Sequence, residues 1–306
     1  MYRELFQRRG LSLERLQALV RVADASSLIE AAEQNPVMQS QFSRQLRELE
    51  NFFGCALTER RGKNLIMSPA GWRLAKLSRL YLSGLHDFMQ EQKRSPRLIR
   101  VGAGERLSRW LLMPHLGAIP DADRVTFAFQ NLSSADIITK LHSHELDFGL
   151  VRSTKTIPRP LKAIKLGKLR YGYFGASRHM PSSSKRTSLC QPYARLADVN
   201  DERRQQINQE IVQHVFGRKV TPHYVCSTMP TVANLVQSGL AGAVLPVKAS
   251  REFDAKNIRM IALNADAAVH ETIWMVWNPR LVDLIPANEK FIHAMTDIVG
   301  AQLTED

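Results

Sequence analysis

Cysteine is scarce in this 306-residue chain: Cys55, Cys190 and Cys226 are odd in number and far apart. That excludes a disulfide framework and points to a reducing compartment, so the expected location is the cytoplasm. No apolar run approaches the roughly 18 residues that a membrane span needs, so no membrane partner is expected. The basic stretch 1–10 lacks the apolar block of a secretory signal. Acidic residues are the scarcer charge, with 29 Asp+Glu against 42 Lys+Arg and a net +13. Such a balance suits a polyanionic partner, but the basic excess is spread evenly and does not locate a binding segment.

Catalytic and cofactor patterns are missing too. No Ser-His-Asp, Cys-His or paired-carboxylate spacing stands out, so no enzyme is expected. Gly102-Ala103-Gly104 has Leu107 where a dinucleotide fingerprint needs its third glycine, and no cofactor is expected. His142 and His144 stand two apart, which on a helix turns them to different sides and disfavours a metal. Cys190 and Cys226 are read as isolated thiols ahead of a redox pair.

What is present is a patterned N-terminal segment. Leu16, Leu19, Val20 and Ala23 recur at helical spacing after a capping Ser12. Ser27-x-x-Glu30 forms a capping box before the small pair Ala31-Ala32, and Asn35-Pro36 breaks the pattern as a short turn would. In the next helix, taking Phe42 as zero and stepping about 100° per residue puts Met38, Leu46, Leu49 and Phe53 within roughly 40° of it. These form one buried stripe. Ser40, Arg44, Arg47 and Asn51 point the other way, flanked by Gln41 and Ser43. Arginine can fork onto guanine and glutamine onto adenine, so this face suits a major groove.

Leu57 to Met67 reads as a hairpin around Arg61-Gly62-Lys63-Asn64, with Arg60, Arg61 and Lys63 at its tip for phosphate or the minor groove. Ser68-Pro69 opens a long helix whose Leu74, Leu77, Tyr81, Leu85 and Phe88 make an apolar stripe. A second copy of the chain or the rest of its own chain would cover that stripe.

The order S-x-x-x-A-A, Q-x-x-x-S, L-E, F-G, L-x-x-R and S-P-A-G over residues 13–95 resembles the winged-helix domain of LysR-type transcriptional regulators. The resemblance implies DNA contacts from Gln39, Ser43 and Arg44 and a phosphate contact from Ser27. Asn35, Met38, Ser40 and Thr58 depart from the usual family residues.

Beyond Ser95-Pro96, β-like runs alternate with helical ones and indicate an α/β architecture. Strands are expected at 98–103, 125–130, 146–151, 224–226, 239–246 and 273–277, with helices at 107–118, 134–144, 232–238 and 289–299. Seven basic residues from Arg152 to Arg170 read as a lysine-guarded strand edge. Met113-Pro114, Glu145-Leu146-Asp147-Phe148-Gly149-Leu150 and the stretch Val236 to Pro246 are similar to the effector-binding half of the same family. That likeness implies two α/β lobes, one interrupting the other, with a ligand cleft at the hinge.

The expected fold class is therefore α/β overall: a winged helix-turn-helix domain (1–67), a linker and dimerisation helix (68–95) and a two-lobed effector-binding domain (96–306). Ligand pockets lie beyond strand ends and at helix N-termini, which selects Glu105, Arg106, Ser108, Asn131, Ser133, Ser134, Arg152, Ser227 and Thr228. Each of these serines is more often a helix cap than a ligand contact. Glu105 would repel an acid, which leaves open an unusual effector or none.

The expected function is a regulator that reads duplex DNA as a homodimer or tetramer and answers to a small-molecule effector, with RNA polymerase a further partner. The alternative is a small-molecule-binding or catalytic α/β protein dimerised by its N-terminal helices.

Overall fold

The computed structural model describes residues 3–25, 27–61, 64–93, 95–119, 124–152, 156–179, 191–197, 202–262, 270–284 and 287–303. Helix α1 (Arg3–Gln7) precedes α2 (Leu13–Asp24), whose first turn is capped by Ser12 Oγ accepting from the Arg15 amide. Ser27 Oγ likewise accepts from the Glu30 amide and starts α3 (Leu28–Ala31), a single turn ending at the fully buried Ala32. Glu33 and Gln34 follow with φ of 51° and 62°, and they make the turn of the helix pair.

The next helix, α4 (Pro36–Phe53), begins a turn earlier than Gln39. Asn35-Pro36 acts as a start signal and not as a breaker. Asn35 Oδ1 accepts from the amides of Val37 (2.9 Å) and Met38 (3.3 Å), and Pro36 has no amide to satisfy. Gly54, at φ 68°, ends the helix. Phe42, Leu46 and Leu49 are buried as their spacing requires, and Met38 is half-buried. Phe53 is not part of the stripe: it is 36% exposed, and Phe52 is buried in its stead. The cause lies in the chain before α2. Gly10 passes against Phe52 Cβ, and Arg8 donates to the Phe52 carbonyl, so this segment covers the side of α4 that Phe52 occupies.

Glu50 then organises the wing. Its carboxylate accepts from the Leu57 and Thr58 amides (2.8 and 3.0 Å) and from the Thr58 hydroxyl, at the start of β1 (Thr58–Arg61). This strand pairs antiparallel with β2 (Asn64–Met67), Arg61 opposite Asn64. Gly62 and Lys63, the expected hairpin tip, lie outside the described residues.

Ser68 closes the unit by donating to the Ala56 carbonyl and accepting from the Gly71 amide, which starts α5 (Pro69–Lys93). A Cβ at Gly71 would collide with the Leu57 carbonyl, so only glycine lets α5 approach the wing this closely. Leu19, Val22, Phe42, Leu46, Leu49, Leu57 and Ala75 form the core of this unit.

The larger part contains β3 (Arg97–Ala103), α6 (Glu105–Leu107), β4 (Val125–Asn131), α7 (Ser134–His142), β5 (Phe148–Arg152) and the long β6 (Lys162–Ala176). Next come β7 (Tyr193–Leu196), α8 (Glu202–Phe216), β8 (Tyr224–Cys226), α9 (Met229–Gln237), β9 (Gly242–Pro246) and β10 (Ile258–Ala262). The chain closes with β11 (His270–Trp277), α10 (Pro279–Leu284) and α11 (Ala287–Gly300). The expected helix 107–118 is a π-type turn at Ser108–Leu112 followed by 3-10 turns over Met113–Ala118.

Among the described residues these strands make one sheet of nine, in the order β4-β3-β5-β11-β6-β9-β7-β8, with β10 on β6. One lobe is built on parallel β4, β3 and β5, the other on parallel β8, β7 and β9. The first half of β6 pairs with β11 and its second half with β9 and β10, so this strand runs from one lobe into the other. The second lobe is thus inserted in the first.

The basic stretch to Arg170 is not a guarded edge. It enters β6, an interior strand, and its Lys162, Lys165 and Arg170 are exposed while Leu166 and Leu169 are buried. Gly167, at φ 140°, lies where the β6–β11 register shifts, and the shift resets which side chains face inward.

Candidate nucleic-acid interface and effector cleft

Burying Phe42, Leu46 and Leu49 leaves the other side of α4 in solvent. Ser40, Gln41, Arg44 and Arg47 are exposed there, with Gln39 and Ser43 half-buried at the flanks. Arg44, its side chain 82% exposed, donates from Nε to Glu48 Oε1 at 3.0 Å. Glu48 also pairs with Arg15 of α2, and the Arg44 hydrogen bond foremost holds its carboxyl below the usual range. That pair aligns the Arg44 guanidinium along the outer face while leaving its other nitrogens available.

Val37, which the sequence pattern did not single out, is 75% exposed at the tip of the same helix. Its exposure follows from the early helix start at Pro36. Arg60 is exposed on the wing, and Ser27 is half-buried with its oxygen already capping α3.

Between the lobes the polar groups are arranged differently. Glu105 opens α6 in the first lobe, and its Oε2 accepts the Met229 amide at 3.0 Å, the first residue of α9 in the second. One turn on, Arg109 Nε donates to both carboxylate oxygens of Glu252 (2.9 and 3.0 Å). Trp110 is buried in the second lobe's cluster with Phe174, Cys226 and Met229.

Arg106 is 4% exposed. Near it the Tyr171 hydroxyl donates to the buried Glu271 carboxylate. Burial, and next the Glu271 charge, push the Tyr171 hydroxyl well above its ordinary range, while Arg106 and Arg152 pull the other way. Two guanidiniums therefore act on one buried pair of carboxylate and phenol. Arg152 lies against Gly104, 3.6 Å from where a Cβ would stand.

The expected ligand hydroxyls are largely occupied by local structure. Ser133 caps α7, accepting from the Asp136 amide and donating to its carboxylate at 2.7 Å. Ser134 Oγ accepts the Arg152 amide. Thr228 precedes α9 without capping it and exchanges a 2.9 Å hydrogen bond with Thr231. Asn131 and Ser227 are exposed, and Ser108 is half-buried. The fold brings Glu105, Arg106 and Arg152 together, with Thr228 facing them from the second lobe next to Met229. Sequence reasoning missed Arg109, Trp110, Tyr171, Glu252 and Glu271. Nothing in local spacing links Tyr171 to Glu271, 100 positions away. Cys226 is buried and Cys55 exposed, both as free thiols, and Cys190 lies outside the described residues.

Arg79 is among the residues that join the two halves. Arg79 of α5, 9% exposed, pairs with Asp24 at the end of α2. Its Nη1 donates to the Ser143 carbonyl at 2.6 Å and lies 3.8 Å from Glu145, both just beyond α7. Burial raises the Glu145 carboxyl, but hydrogen bonds from Lys140 and Ser143 and the Arg79 charge outweigh it and hold it below its usual range.

Two family models match the chain. Residues 13–72 match that of the bacterial regulatory helix-turn-helix proteins of the lysR family, and residues 92–298 match the LysR substrate binding domain. An uncharacterised HTH-type transcriptional regulator of Shigella flexneri, YfeR, is 28% identical over 149 residues, 46% of this chain and 47% of that relative. The match thus spans about half the length of the relative. Among solved structures, ArgP from Mycobacterium tuberculosis superposes with a TM-score of 0.68 at 16% identity, covering 96% of this chain and 99% of its own. DarR from Vibrio fischeri, solved in complex with DNA, gives 0.54 at 18% identity, covering 94% and 99%. At such identities the structural likeness shows the fold.

Proposed function

The chain belongs to the lysR family of bacterial regulatory helix-turn-helix proteins, and from that membership we propose that it regulates transcription by binding a partly palindromic operator as a dimer or tetramer. Residues 1–67 are the DNA-binding unit, 68–95 the linker and dimerisation helix, and 96–306 the regulatory unit. The carrying observation is the division of α4 into a buried side of Phe42, Leu46 and Leu49 and an exposed side of Ser40, Gln41, Arg44 and Arg47.

The exposed side selects bases, with Gln39 behind it. Ser27, Ser43, Arg60, Arg61 and Lys63 hold phosphates and make affinity fall with salt. The solved DNA complex of DarR, which shares the fold, supports the same use of this unit.

Support for self-association comes from α5. Its inner residues Leu74, Ala75 and Leu80 pack on the chain itself, whereas Trp72, Tyr81, Leu85, Phe88 and Met89 are exposed. A second α5 laid on that apolar side would set the two α4 helices about 34 Å apart, one helical turn of DNA.

The small molecule acts between the lobes, near Glu105, Arg106, Ser108, Asn131, Ser133, Ser134, Arg152, Ser227 and Thr228. There it is bound and not turned over, as a signal that favours one lobe arrangement. No described helix is long and apolar enough to cross a membrane, and the proposed place of work is the cytoplasm. In vitro selection from a random duplex pool tests the reading: a two-fold symmetric motif is expected, and binding with no sequence preference would overturn it.

A further inference from the structure

We propose that Glu105 decides what the cleft accepts: its carboxylate holds the Met229 amide that an acid ligand would need, ties one lobe to the other and turns small carboxylates away. This deepens the reading above and rests on the cleft being the effector site.

The N-terminus of α9 attracts negative charge, and the amide that would meet an anion there, that of Met229, already donates to Glu105 Oε2 at 3.0 Å. The guanidiniums next to Glu105 and Gly104 act on groups of the chain as well. Arg106 and Arg152 both bear on the Tyr171 hydroxyl, which donates to the buried carboxylate of Glu271. An entering carboxylate would have to displace Glu105 from that amide and stand beside its charge, an arrangement like charges oppose.

The contact also spans the lobes. With it go the Arg109–Glu252 pair and the burial of Trp110 in the second lobe's cluster, so three groups of the chain tie one lobe to the other. Replacing Glu105 by serine releases the Met229 amide, offers a hydroxyl in place of the charge, and leaves the Arg109–Glu252 pair untouched.

The experiment compares full-length wild type, Glu105→Ser and Glu105→Gln, each titrated by calorimetry with sodium benzoate and with neutral benzamide. Solution scattering is recorded with and without benzoate. Wild type is expected to give no benzoate heat and an unchanged, compact profile. Glu105→Ser is expected to expand without ligand, to bind benzoate at least about ten-fold more tightly than either wild type or benzamide, and to contract on binding it. Glu105→Gln keeps an oxygen for the Met229 amide and is expected to stay compact and blind to benzoate. Glu105→Ala replaces the serine variant if that one does not fold.

Benzoate binding equally to wild type and Glu105→Ser, or ligand-free profiles that coincide, overturns the proposal. None of these measurements involves DNA. A failed operator selection therefore sinks the regulatory reading and leaves this test standing.

Discussion

The recognition helix and the inter-lobe cleft hold similar side chains in opposite conditions. On α4, Ser40, Gln41 and Arg47 face solvent and, among the described residues, Arg44 bonds to Glu48 on its own helix. Where the lobes meet, Glu105 holds an amide of the other lobe and Arg109 holds Glu252, and in the buried interior Tyr171 holds Glu271. The first surface is built for a partner that arrives from outside. The second is satisfied before anything arrives. Polar residue type alone therefore says little about a binding site; what the local structure already asks of each group says more.

The largest expected effect lies on the satisfied side. Glu271→Ala removes the charged acceptor of a buried phenol and leaves a cavity in its place, and should cost about 3–5 kcal/mol in chemical denaturation. A cost below about 1 kcal/mol would show that the buried phenol does not depend on that acceptor.

His144 comes next, where α5 of the DNA-binding half meets the regulatory half. It is 1% exposed, and burial, followed by the Lys76 and Arg280 charges, lowers its ring from an ordinary 6.5 to about 4. The folded state thus favours the neutral ring. The stability it contributes is fully present above pH 6.5 and drains as pH falls toward 4, by about 3 kcal/mol. Asparagine tolerates the φ of 61° found there, so His144→Asn should flatten the unfolding free energy across that window.

On the open side, Arg44→Ala should weaken binding to a selected operator by about 1–3 kcal/mol while leaving thermal unfolding unchanged. Unchanged affinity and unchanged sequence preference would remove α4 from the interface. The smallest effect is expected from Asn35→Ala, about 1 kcal/mol of stability through loss of the cap that starts α4 early, read by thermal unfolding.

Much of the N-terminal unit could be read directly. Ser12, Ser27 and Ser68 announce helix starts through hydrogen bonds only a few residues long, and the Phe42 stripe follows from one repeated angle. The error at Phe53 arose because an angle cannot foresee that the segment around Gly10 would cover the neighbouring side. Farther along, legibility falls with contact distance. The short β7 and β10 escaped notice because four- and five-residue strands carry too little pattern of their own, and their pairing is with residues far away in sequence. The tie between the lobes is illegible for the same reason: the sequence marks Glu105 as a group that repels acids, but its partner at Met229 lies 124 residues on.

The Arg79 junction bears on how this protein can be taken apart. A regulatory half grafted from another regulator would arrive without the Ser143–Glu145 loop and leave a nearly buried guanidinium with Asp24 alone. Head and body are therefore a matched set, and a chimera that respects only the stretch near residue 95 would inherit a misfit. Exchanging positions 24, 79 and 143–145 as one block is the condition for a graft in which the body still reports to the head.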